Sequence, residues 1–171
     1  MGASVTAPPP SALEARVWEL LGEVADPEIP VLSILDLGIV RYVKPTEGGT
    51  LTIGLTPTYS GCPATDAIRA AVRAALEAAG LGEVVLEEVL SPPWSSDWLS
   101  PQGRRKLREF GIAPPAHPIH SPRALLVPAR IACPRCSSPH SERLSEFGST
   151  PCKAHYRCLK CGEPFDYFKC I

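Results

Sequence analysis

Apolar residues recur with a helical period near the start of the chain: Leu13, Val17, Leu20, Leu21 and Val24 share one face, and Ser11-Ala12-Leu13-Glu14 reads as a capping box. The spacing predicts a first helix, which Asp26-Pro27-Glu28-Ile29-Pro30 must end. Proline supplies no N–H and keeps its predecessor out of helical angles. Residues 39–43 and 50–56 read as strands, the second alternating Leu51, Ile53 and Leu55 with Thr50 and Thr52. Between them 44–49 reads as a hairpin turn. A Pro and Gly loop over 57–63 leads to a second helix, with Ile68, Val72, Ala75, Leu76 and Ala79 on one face and Gly80 as its stop. Residues 83–90 are then a third strand, and the helix between the last two strands predicts that they are parallel.

The expected fold class is therefore α+β: a small α/β layer in the order helix, strand, strand, helix, strand, followed by a different kind of module. Ser100-Pro101 opens a further short helix ending near Phe110-Gly111, whose Arg104, Arg105, Lys106 and Arg108 read as a solvated face. Residues 113–130 hold five prolines without periodicity and read as a semi-rigid linker that decouples its neighbours. His117 and His120 within it read as solvated. The expected division is 1–112 for the α/β domain, 113–130 for the linker and 131–171 for the C-terminal module.

Composition narrows the function classes. A net charge of −1 in 171 residues gives no electrostatic basis for nucleic-acid binding, and no apolar run approaches a membrane span. The first ten residues lack the basic start and apolar core of a secretory signal, so a cytoplasmic location is expected. Asparagine is absent, glutamine occurs only as Gln102, and there are 20 prolines, a profile that fits a thermophile or a GC-rich genome.

Seven cysteines form an odd set, and four of them make two Cys-x-x-Cys knuckles, Cys133-Pro134-Arg135-Cys136 and Cys158-Leu159-Lys160-Cys161, with 21 residues between them. That pattern predicts one tetrahedral metal in a zinc-ribbon-like module. A tail this poor in large apolar residues needs such a staple. Zinc in a structural role is expected, with iron or an iron–sulfur cluster as the alternative, since sulfur ligation alone does not separate them. Cys152 and Cys170 are surplus to the tetrahedron, either packed or alternative ligands. Phe165, Tyr167 and Phe168 read as a strand packing the small core.

In the first domain, Cys62 precedes Pro63 at the expected start of the second helix, where unpaired N–H groups and the helix dipole favour a thiolate. Two readings stand: a reactive thiol, or an inert buried one. Asp26, Glu28 and Asp36 are the acidic candidates, with turn formation as their plainer role. No nucleotide-binding, nucleophile-elbow or metalloprotease motif occurs, so an independent enzyme has little support.

Asp26-Pro27-Glu28-Ile29-Pro30, Asp36-Leu37-Gly38-Ile39-Val40 and Thr56-Pro57-Thr58-Tyr59-Ser60-Gly61-Cys62-Pro63 resemble the small domain of iron–sulfur assembly and targeting factors, over about residues 11–90. Trp94-Ser95-Ser96-Asp97-Trp98, Gly111-Ile112-Ala113-Pro114-Pro115 and the tail from Leu144 to Cys170 are similar to the D-subunit family of bacterial phenylacetyl-CoA epoxidase systems. The resemblance implies an accessory of aerobic phenylacetate degradation that assists assembly or maturation of a di-iron or iron–sulfur centre. It implies the oxygenase and reductase subunits as partners, Asp26, Glu28 and Cys62 as the residues carried over, and a transient iron–sulfur cluster as a further cofactor. The alternative is a scaffold that holds the epoxidase components together without transferring metal. An enzyme acting on an acyl-CoA is a third reading.

Overall fold

The computed structural model describes residues 11–46, 50–59, 61–81, 83–116 and 130–170. The expected hairpin turn at 44–49, the linker at 113–130 and His117 and His120 therefore fall partly or wholly outside the described residues.

Helix α1 spans Ala12–Gly22, and the Ser11 hydroxyl accepts from the Glu14 N–H at 3.2 Å, which supplies one half of the capping box. Its buried face is Val17 and Leu21; Leu13, expected on that face, is 38% exposed. Strand β1 (Val40–Pro45) pairs antiparallel with β2 (Leu51–Leu55), and helix α2 (Ala64–Ala78) crosses to β3 (Val84–Glu88), which lies parallel to β2. The α-β-β-α-β order and the parallel pair are as the periodicity predicts. Ile68, Val72 and Leu76 of α2 close over Ile53 and Leu55 of β2 in one buried cluster with α1.

Helix α3 spans Pro101–Glu109, with Ser100 accepting from the Gly103 N–H at 2.8 Å. Its basic cluster is only half solvated, a correction to the sequence reading. Arg105 and Arg108 are exposed. Lys106 Nζ instead donates to Asp36 Oδ2 at 2.6 Å, and Arg104 donates to the Ser96 and Pro115 carbonyls at 3.0 Å each. The fixed carbonyls and the buried carboxylate draw these two side chains inward.

The second sheet has the order β4-β7-β6-β5, with β4 at Ile112–Ala113, β5 at Ser141–Ser145, β6 at Lys153–Cys158 and β7 at Pro164–Phe168. β5, β6 and β7 form an antiparallel meander, and the two residues of β4 pair parallel with β7. Phe168 and Cys152 belong to the core of the α/β layer, and the Trp94 and Phe168 rings lie 6.2 Å apart. The two sheets are thus packed on each other, where the sequence reading expects them to be decoupled. The smaller cluster, with Ile131, Ala154, Phe165 and Tyr167, sits around Cys133 and Cys158.

Candidate functional site

The four knuckle cysteines converge. Their sulfur atoms lie within 4.8 Å of one another, with Cys133 to Cys161 at 3.8 Å and Cys136 to Cys158 at 3.5 Å. Ligands at about 2.3 Å from a tetrahedral zinc stand roughly 3.8 Å apart, so the donor set and its size fit such an ion. Each knuckle closes on itself. Ser137 N–H donates to the Cys133 carbonyl and Gly162 N–H to the Cys158 carbonyl, both at 2.9 Å. Gly162 takes the left-handed φ of 76° that suits glycine, and Ser137 takes 59° in the equivalent place without that freedom. The β5–β6 hairpin, with an irregular register between Arg143 and Ser145, absorbs the long spacing between knuckles.

A second site lies in the seam between the two sheets. Asp26, Glu28, Cys62, Arg69, Glu88 and Cys152 line a cavity of about 30 Å³, with Ile29, Leu55, Ile68 and Phe168 among its apolar walls. The Asp-Pro-Glu-Ile-Pro segment serves it directly. Asp26 Oδ1 accepts from the Glu28 N–H at 2.9 Å and the Ile29 N–H at 2.7 Å, so the first carboxylate builds the turn that presents the second. Burial raises the Asp26 carboxyl above its ordinary range against those two hydrogen bonds, and Glu28 is raised by burial and then by the Asp26 charge. Lys153, itself buried and 3.6 Å from Asp166, opposes both shifts.

Cys62 stands two residues ahead of α2, its carbonyl accepting from the Thr65 N–H at 3.1 Å and its side chain half-buried in the cavity wall. The Tyr59 hydroxyl is buried with no hydrogen-bond partner among the described residues; burial and then the adjoining Cys62 thiol raise its pKa. The structure therefore brings together three of the predicted residues, Asp26, Glu28 and Cys62. It keeps Asp36 apart: that carboxylate takes the Lys106 ion pair, the Ser100 hydroxyl at 2.9 Å and the Ser33 N–H at 3.1 Å, and tethers α3. Despite burial, those donors hold it below the usual carboxylate range.

Cys152, surplus in the sequence reading, joins this cavity. It is buried, its thiol is 3.0 Å from the Thr150 hydroxyl, and burial pushes its pKa up. Nothing local in the sequence marks it, because most of the residues that line the cavity with it, Asp26, Glu28 and Cys62 among them, come from the first 90 residues. Cys170 lies at the surface with its sulfur 3.2 Å from the Tyr167 hydroxyl.

Comparison with known proteins assigns each half. Residues 14–87 match the family described as "Iron-sulfur cluster assembly protein", and 118–169 match the "PaaD zinc beta ribbon domain". A crystal structure of a domain of unknown function, DUF59, from Bacillus anthracis superposes with a TM-score of 0.52 at 31% identity, covering 56% of this chain and 92% of that one. A Bacillus subtilis protein named as an Fe-S protein maturation auxiliary factor is 39% identical over 52% of this chain and 87% of its own length. A protein of Escherichia coli K12, provisionally named as the D component of 1,2-phenylacetyl-CoA epoxidase, is 52% identical over 97% of both chains. Joining an iron–sulfur assembly domain to a zinc ribbon and matched along nearly its whole length, the chain belongs to the D-component family of phenylacetyl-CoA epoxidase.

Proposed function

We propose that this protein is an accessory factor that supplies iron, as an ion or a cluster, to a metal centre of a phenylacetyl-CoA epoxidase, with the oxygenase and reductase subunits as its partners in phenylacetate degradation. The observation that carries the reading is the cavity whose lining includes Cys62, Asp26 and Glu28. A thiol with two carboxylates is a mixed soft and hard donor set, suited to a borderline cation such as iron. Space of about 30 Å³ holds roughly two water molecules. It suits a small inorganic cargo and is far too small for an acyl-CoA.

In this reading Cys62 is the entry donor, half-exposed at the rim, while Asp26 fixes the turn that aims Glu28 inward. The Cys133, Cys136, Cys158 and Cys161 cluster holds one structural zinc, because four thiolates fill the tetrahedron and leave no open position for chemistry. Among the described residues no helix is long and apolar enough to cross a membrane. Free thiols at a cargo site call for a reducing compartment, which fits the cytoplasm.

The test is a deletion strain. Epoxidase oxygenase and reductase purified from it should carry less iron and less activity than the wild-type preparations, with restoration on complementation. Full metal content and full activity without this protein would contradict the proposal.

One observation favours the scaffold reading: Leu144, Phe147 and Leu159 stand 50%, 63% and 60% exposed on the ribbon, apolar groups available to a protein partner. Fixed-stoichiometry co-purification with active, iron-replete oxygenase regardless of Cys62 would favour it over iron delivery.

A further inference from the structure

Among the described residues β3 is an outer strand of the three-stranded sheet, with β2 on one side and no strand on the other. The Leu51 N–H donates to the Glu83 carbonyl and the Val89 N–H to the Leu55 carbonyl, so by the two-residue alternation of a strand Val84, Leu86 and Glu88 turn their main-chain groups outward. Two of those three outward carbonyls are taken by α2. Arg73 Nη1 donates to the Val84 carbonyl at 3.2 Å, and Arg69 Nη2 to the Leu86 carbonyl at 2.9 Å. We propose that β3 is a strand-pairing edge for a second copy of this chain, and that Arg69 and Arg73 hold it closed so that copies do not join through it. The inference goes beyond iron delivery and stands without it.

The two elements match in spacing. Four helix residues advance about 6 Å and two strand residues about 6.6 Å, so arginines one turn apart on α2 fall opposite alternate carbonyls of β3. The helix returns antiparallel to the strand, so the earlier arginine meets the later carbonyl. This edge is one that needs cover. Val84-Val85-Leu86 is an apolar, β-branched run with Val85 47% exposed, and unpaired main-chain groups on such a strand are a template for another strand. A second copy brings the same edge, and the two can pair antiparallel about a two-fold axis. An incoming strand must first displace both guanidinium groups and leave two cations beside the new ladder without their acceptors. Arg69 and Glu88 also line the Cys62 cavity, so pairing here would set a second copy beside it.

The experiment compares the full-length chain with its Arg69→Met/Arg73→Met variant, which keeps both stems and removes both donors. Association is read by sedimentation velocity at raised ionic strength, and the edge by amide hydrogen exchange. Salt screens the Glu83, Glu87 and Glu88 carboxylates, which meet their own kind across such a pair. In the unmutated chain the Val84, Leu86 and Glu88 amides should exchange freely. The double variant should form dimers at least tenfold more tightly, with those three amides protected. Its net charge moves from −1 to −3 with the loss of two cations, a change that by itself opposes association. Arg69→Lys/Arg73→Lys, which keeps the donors, should behave as the unmutated chain does. A folded Met variant that associates no more tightly than the unmutated chain overturns the inference. So does association that leaves the three amides unprotected, or their protection in the unmutated chain. Where the double variant does not fold, Arg73→Met alone decides, since Arg73 is exposed: tighter association supports the inference and unchanged association overturns it.

Discussion

Phe168, at the end of the last ribbon strand, packs its ring 6.2 Å from that of Trp94, and Trp94 in turn donates its indole N–H to the Leu37 carbonyl at 2.8 Å. The ribbon is thereby seated in the core of the assembly-type layer. Phe168 is 1% exposed, and removal of a buried ring costs about 3–5 kcal/mol. Phe168→Ala should lower stability by that amount in chemical denaturation, and tryptophan fluorescence and ribbon metal release should move together. Release of metal with no change around Trp94 would show two independent units.

The ribbon cysteines make a second prediction. Cys158→Ser removes one of four sulfurs packed within 4.8 Å and should abolish stoichiometric zinc, as should a strong chelator. Zinc retained at one per chain in Cys158→Ser would refute the ligand assignment.

Asp36 should behave as a structural acid. Its folded pKa lies below the ordinary value of 3.8, so the stability it contributes is present above that value and is lost as pH falls through the lowered one. Asp36→Asn removes the Lys106 pair and should cost about 1–3 kcal/mol near neutral pH, with a flatter loss of stability in acid. Thermal unfolding followed between pH 2 and 7 checks both. An acid profile identical to wild type would contradict it.

Asp26 should behave in the opposite way. Its raised pKa means that the iron-free fold favours the protonated form, with stability lost as pH rises from 3.8 through the higher folded value. Asp26→Asn keeps an oxygen for the Glu28 and Ile29 N–H groups and removes a buried charge. It should leave neutral-pH stability within about 0.5 kcal/mol of wild type or above it, while iron uptake falls. A large loss of stability would mean that this carboxylate serves the fold and not the cavity.

The elements written in periodicity were legible: α1, α2 and the alternating β2 follow from the spacing of Val17 and Leu21, of Ile68, Val72 and Leu76, and of Leu51, Ile53 and Leu55. The four-cysteine cluster was legible because thiol spacing and ligand geometry are local. Contacts made across the fold were not. β4 is two residues long and exists only because β7 is beside it, a pairing with no signal of its own. Lys106 looks like any solvated lysine until Asp36, 70 residues away, is placed beside it. Cys152 reads as a spare thiol for the same reason: it joins the lining of the cavity that holds Cys62 and Glu28 only when the two sheets pack.

The central claim is that the Cys62 cavity delivers iron to the epoxidase. The most direct measurement is the iron content of oxygenase and reductase purified from the deletion strain complemented with Cys62→Ser, against complementation with wild type at matched protein level. Cys62→Ser should fold, keep its ribbon zinc and leave the epoxidase as iron-poor as the deletion does. Iron content and activity equal to those of wild-type complementation would contradict the claim.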